Sequence, residues 1–271
     1  MKNETRPRSA ITTPPAESTS RRKRAPNAPP IGAARFADQS VKSIADAIHQ
    51  RLRQDIVSLA LVPGLPISEQ DLALAEGVSR TPVREAILRL AKERLVEVVP
   101  KSGTFVARIP LSALPEAIVV RRALEGVTVR AAANAATAEQ IAEIQSLLEH
   151  QARVCEAGDL AAFHLADEAF HAAIARIGRY PGIWDLVQQV KVHVDRYRRL
   201  TLPIEGRMAT VIEEHRAVLE AMKAGDADLA VARMEDHLGK LQLEISVIRD
   251  MWPDYFVHDI QLDEVLPRPQ P

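Results

Sequence analysis

Apolar positions recur with a helical period along most of this chain, and the exceptions are short. Val41, Ile44, Ala45, Ile48, Leu52 and Ile56 fall on one face of a helix predicted from about Ser40 to Leu59, which Pro63-Gly64 and Pro66 bring to an end. Ser68 opens a second, shorter helix to Glu76 with a capping-box-like start, and Gly77 turns the chain into a third. There Val83, Ala86, Ile87, Leu90 and Ala91 face inward. Ser79 or Thr81 is placed to cap the free amides, and Pro82 sits in the first turn, where its missing N–H costs nothing. The period then shortens to that of a strand: Leu95–Val99 and Thr104–Ala107 are β-branched and aromatic runs flanking Pro100-Lys101-Ser102-Gly103, a hairpin. From Leu111 the helical period returns. Six helices are predicted, over Ser112–Ala136, Thr137 to Gly158, Asp159–Ile177, Pro181–Leu200, Glu205–Ala224 and Asp226–Asp250.

The expected fold is therefore mostly α: an N-terminal winged helix-turn-helix with a small β-hairpin wing, then a C-terminal all-α six-helix bundle. The boundaries fall at 1–37 for a disordered basic arm, 38–108 for the winged helix, 109–250 for the bundle and 251–271 for a tail. A hydrophobic content of 46% with only 4% aromatic residues suits aliphatic helix packing in two cores of ordinary size. The formal charge of −1 hides a gradient. Residues 1–37 carry eight Lys/Arg against two Asp/Glu, residues 38–108 ten against nine, and the remainder seventeen against twenty-five. A basic end with an acidic bulk keeps any attraction to a polyanion local. The single cysteine, Cys155, excludes an intrachain disulfide and a four-thiolate zinc site, and no apolar run is long enough to span a bilayer; a cytoplasmic protein is expected.

Two sets of residues offer chemistry. On the outer face of the third helix Arg80, Thr81, Arg84, Glu85, Arg89 and Lys92 stay clear of the apolar stripe, and an arginine fork reaches two acceptors of guanine or clamps a phosphate. The alternative is an ordinary solvated basic face. In the bundle, Asp167 and His171 stand four apart and point the same way, while His215 and His237 lie on apolar faces of two later helices. Three imidazoles and a carboxylate would suit a divalent ion such as Zn²⁺ or Ni²⁺ with coordination positions left open. His164 and His193 are helical too, so spacing alone leaves histidines without a metal as the competing reading.

Pro63-Gly64, Ser68 to Leu72, Val78 to Ala86, Leu90-Ala91, Leu95-Val96 and Gly103-Thr104-Phe105-Val106 closely resemble the winged helix of GntR-type regulators. That resemblance implies DNA contacts from Ser79, Arg80, Thr81 and Arg84, with Lys101 and Gly103 bringing the wing to the minor groove. Arg121-Arg122-Ala123-Leu124-Glu125, Asp167-Glu168-Ala169-Phe170-His171, Glu214-His215-Arg216 and Asp236-His237-Leu238 resemble the helical effector domain, called FCD, of the family's FadR branch. It implies Asp167, His171, His215 and His237 as metal ligands, and a small carboxylate held by the metal and by arginines. Arg121 matches the motif, with Arg196 or Arg199 reaching in from the fourth bundle helix; an ion pair of Arg121 with Glu125 is the other possibility.

The expectation is a homodimeric repressor on a palindromic operator, not an enzyme, whose hold on double-stranded DNA answers to a sugar acid or hydroxy acid. Two rivals stay open: a metal-dependent hydrolase with a DNA tether, and a regulator for which the metal itself is the signal.

Overall fold

The computed structural model describes residues 31–261. Its first helix, α1, spans Ile31–Val57, so it begins well before Ser40 and takes in the last part of the expected disordered arm; residues 1–30 lie outside the described residues. A two-residue strand β1 (Pro66–Ile67) follows, then α2 (Glu69–Glu76), α3 (Arg80–Lys92), β2 (Val96–Val99) and β3 (Gly103–Val106). Ser68 caps α2 by accepting from the Asp71 amide at 3.2 Å, and Gly77 takes φ 65° to end it. Ser79 occupies the N-cap of α3 without a side-chain cap bond. β2 and β3 pair antiparallel, with Val96 opposite Val106 and Val99 opposite Gly103, and β1 adds to the outer edge of β3. The latter pairing is invisible to a local reading, because Pro66 in a two-residue run looks only like a helix stop. Ile48, Leu52, Ile56, Val83, Ile87, Leu90, Leu95 and Val106 close the core of this unit.

A short strand β4 (Ile109–Pro110) leads into α4 (Ala113–Ala135), α5 (Ala138–Glu156), α6 (Leu160–Ile177), α7 (Pro181–Val190), α8 (Val192–Thr201), α9 (Arg207–Lys223), α10 (Ala227–Leu243) and α11 (Ile245–Met251). The caps expected at Thr137, Asp159 and Asp226 are formed, Thr137 in a full capping box with Gln140. The six expected helices become eight because two of them break, at Lys191 and at Glu244. Neither break carries Gly or Pro. At the first, the Lys191 ammonium turns inward to Asp195 (2.6 and 2.7 Å) and to Glu168, a tertiary demand that no helix signal encodes. The start of the tail is packed: Phe256–Val257 forms β5, parallel to β4, and Asp259 accepts from the Ser112 amide at 3.0 Å.

Phe163, Phe170, Ile174, Val218, Leu219 and Leu238 lie in the main bundle core. A further cluster of Ile109, Leu114, Tyr197, Leu241, Ile245 and Phe256 sits at the bundle's near end. Val192, the first residue of α8, is buried in the winged-helix core itself. That helix thus has one end in each part of the molecule.

Candidate metal centre and nucleic-acid interface

Phe170 and His171 enter the bundle from α6, His215 from α9 and His237 from α10, and all three imidazoles are fully buried. Phe170 stacks on His215 with ring centroids 4.1 Å apart, and Trp184 lies parallel to His171 at 5.9 Å, so apolar rings set the imidazole planes. Each Nδ1 faces an oxygen from a different helix. That of His215 lies 2.9 Å from Gln151 Oε1, and that of His237 lies 2.7 Å from Glu214 Oε2. His171 Nδ1 is 2.6 Å from Glu125 Oε2, an ion-pair contact without the angle of a regular hydrogen bond. Oxygens at the Nδ1 positions select the tautomer whose lone pair is on Nε2.

The three histidines each bring one ring nitrogen within 4.8 Å of the other two. His215 Nε2 and His237 Nε2 are 3.3 Å apart, and His171 Nε2 has no hydrogen-bond partner. Facing lone pairs repel, and a buried nitrogen without a partner costs about 1–3 kcal/mol, so the arrangement asks for a cation at its centre. Burial, reinforced by the neighbouring imidazoles, drives His215 well below the usual imidazole pKa; at His237 burial outweighs the opposing pull of Glu214. Neutral rings are the form that ligates a metal. The donor set fits a borderline divalent ion.

Asp167 lies beside this trio, its Oδ1 3.6 Å from His215 Nε2 and its Oδ2 4.0 Å from His171 Nε2. It stays ionised: burial opposes the charge but is outweighed, chiefly by Arg198. Both carboxylate oxygens accept from Arg198, at 2.5 and 2.7 Å. Arg198 is not among the arginines that the sequence singles out, whereas Arg196 bonds the Ala107 carbonyl (2.6 Å) and Arg199 reaches the Leu160 carbonyl (3.4 Å). The reason is geometric, since a break at Lys191 re-phases the helix and each residue of offset turns a side chain by about 100°. Arg121 is buried and donates to Glu125 Oε1 at 2.6 Å, one link behind His171. That Glu125, Gln151 and Glu214 orient the histidines is not legible in the sequence, because each meets a histidine from another helix. A second cluster, His164, Glu168 and Asp195, already has a cation among its acids, the Lys191 ammonium.

At the other end of the molecule, Ser79, Arg80, Thr81, Arg84, Lys101 and Gly103 are all exposed. Arg80, Thr81 and Arg84 share a concavity with Glu69, Glu85 and Leu88. Arg80 is 3.6 Å from Glu69. Arg89 is committed to Asp46 and Glu85, which among the described residues leaves the first two turns of α3 with the uncommitted guanidinium of Arg84. Lys101 takes a left-handed φ of 66° at the hairpin tip and Gly103 φ 130°.

Residues 44–106 match the profile of the gntR family of bacterial regulatory proteins and residues 116–240 that of the FCD domain. A transcriptional regulator of Streptomyces ambofaciens, described as uncharacterized, is 37% identical over 212 residues, 78% of this chain and 89% of its own length. This chain belongs to the GntR family. The HTH-type transcriptional repressor RspR of Escherichia coli is 29% identical over 77% of this chain and 92% of its own. The E. coli McbR/YncC structure superposes with a TM-score of 0.63 at 26% identity, over 77% of this chain and 98% of that one. A GntR protein with an FCD domain is a DNA-binding regulator and not an enzyme, which removes the hydrolase reading. Among the described residues no helix is long and apolar enough to cross a membrane.

Proposed function

We propose that this GntR regulator binds a palindromic operator as a homodimer and releases it when a small carboxylate enters the metal centre of its FCD domain. The reading is carried by one observation: three buried imidazoles, each steadied at Nδ1 by a Glu or Gln oxygen, bring a ring nitrogen within 4.8 Å of one another beside an ionised Asp167. Repression is in keeping with the name of RspR.

His171, His215 and His237 would hold the ion, Zn²⁺ or Ni²⁺, with Asp167 as the fourth ligand. When bound, the ion supplies a Lewis-acid position for a ligand carboxylate. Arg198 would grip that carboxylate by exchanging Asp167 for it, since its planar fork matches a carboxylate bidentately. Arg121 acts through Glu125 and keeps His171 oriented. On DNA, Arg80 and Arg84 would read base edges or clamp phosphates in the major groove, Ser79 and Thr81 would contact the backbone, and Lys101 and Gly103 would bring the wing to the minor groove.

The test is operator affinity of zinc-loaded protein against a panel of sugar acids and hydroxy acids. At least one acid should weaken binding tenfold or more, and chelator-treated protein should lose that response. Affinity indifferent to every acid, with metal bound, defeats the carboxylate reading; affinity that follows zinc alone supports a regulator of which the metal is the signal.

A further inference from the structure

Away from the metal centre, a second group of buried polar atoms is left unbalanced where α8 meets the winged helix. Arg196 is 0% exposed, and the Ala107 carbonyl is bonded by its Nη2, while Nε and Nη1 have no partner. Among the described residues no carboxylate pairs with it, and burial draws its pKa down to about 10. One turn earlier on the same helix His193 is 6% exposed, with neither ring nitrogen bonded; burial, then Arg196 and Arg94, bring its pKa down to about 4. A desolvated guanidinium with one carbonyl for company is costly, and such groups normally have an anion beside them.

His193, with the charge of Arg196 behind it, borders a space with room for one. His193 lines a crevice of about 370 Å³ between the end of α3 and the helices of the bundle, with Lys92, Arg94 and Glu116 on its walls. Arg94 follows α3 in a left-handed conformation, φ 58°, that a non-glycine residue adopts only against a steric penalty. Of the acids in the wall, Glu93 is occupied by His49 and Arg53, so the uncommitted charge of the crevice is mainly positive. A lysine, an arginine and an imidazole on the walls of one crevice, from different elements, suit a tetrahedral oxyanion better than a planar carboxylate, which one fork satisfies.

We propose that this crevice is a second ligand site, for an oxyanion of the phosphate class, bound by Lys92, Arg94 and His193 over the buried charge of Arg196. Lys92 and Arg94 belong to the DNA-reading unit and His193 and Arg196 to α8, so an occupant ties the two together. The proposal is independent of the metal centre.

The test uses full-length, chelator-treated protein and inorganic phosphate, by calorimetric titration and by thermal unfolding against chloride at matched ionic strength. Phosphate should bind saturably at one site per chain and raise the Tm by several degrees. Arg94→Asn keeps a side chain that tolerates the left-handed conformation and, being at the surface, does not threaten the fold; it should weaken binding at least tenfold. Arg196→Met should fold at least as well in chloride and no longer respond to phosphate. His171→Ala, which dismantles the metal centre, should leave the response intact. Tighter binding of glycerol 3-phosphate than of phosphate would assign the site to a phosphorylated metabolite, and the reverse to free phosphate. Phosphate that stabilises no more than chloride, full affinity in Arg94→Asn, or loss of the response in His171→Ala overturns the proposal.

Discussion

Removing Arg198 from Asp167 tests how the charges of the candidate metal centre are balanced in the metal-free protein. Both groups are nearly fully buried and joined by two short bonds. Arg198→Gln leaves an ionised carboxylate without its guanidinium partner, and Asp167→Asn leaves a buried guanidinium without its carboxylate. Breaking such a pair from one side costs about 3–5 kcal/mol, a large part of the 5–15 kcal/mol typical of a domain. At roughly 2–4 °C per kcal/mol, each single variant should lose on the order of 10 °C in Tm. The double variant carries neither charge and should lose less than either single, so that the coupling from the cycle exceeds either single loss and is more than about 3 kcal/mol.

The assay is urea unfolding of chelator-treated protein followed by far-UV circular dichroism at fixed protein concentration, repeated with Zn²⁺. A cation among the three histidines gives Asp167 a new partner, so zinc should restore Arg198→Gln towards wild type but not Asp167→Asn. Additive losses in the metal-free protein, or equal stabilisation of both variants by zinc, would refute the reasoning.

Other outcomes follow from the same geometry. Replacing Arg80 and Arg84 with alanine should cost about 1–3 kcal/mol of operator affinity for each base-reading side chain removed, and flatten the salt dependence for each phosphate clamp removed, with the fold unchanged, as read by fluorescence anisotropy and far-UV circular dichroism. Zinc should alter the emission of Trp184, which stacks on His171, in a Trp252→Phe background, and His237→Ala should abolish the change. His193 is held neutral in the fold with a pKa of about 4, below the roughly 6.5 of an unfolded chain, so its contribution is complete above pH 6.5 and is lost as the pH falls towards 4. Over that window the difference is worth about 3 kcal/mol, and His193→Asn should remove that part of the acid sensitivity in Tm measured against pH.

Local chemistry is readable in the chain and long-range chemistry is not. Ser68, Gly77, Thr137, Asp159 and Asp226 mark helix ends because the groups they satisfy are within a few residues, and the structure has each of them at such an end. The convergence of His171, His215 and His237 is foreshadowed by their apolar faces and the i, i+4 pair with Asp167. What orients them is not: Glu125 lies 46 residues before His171 and Gln151 lies 64 before His215. The choice among Arg196, Arg198 and Arg199 turns on the break at one residue, Lys191, whose ammonium is shared by Asp195 and by Glu168 on a different helix.

That same helix gives the molecule a physical route between its two ends. Within seven residues α8 places Val192 in the winged-helix core, Arg196 on the Ala107 carbonyl at the wing's exit, and Arg198 on Asp167 at the metal centre. At about 1.5 Å per residue those contacts lie within some 10 Å of one another along one rigid rod. A ligand that draws Arg198 off Asp167 changes the forces on the rod at one end, and an anion beside His193 changes them at the other. Coupling requires only that α8 have two settings which these events favour unequally. The Arg198→Gln variant discriminates here as well: it should leave operator affinity in the absence of ligand within a few-fold of wild type while reducing the difference that ligand makes, because it removes the handle and not the reader.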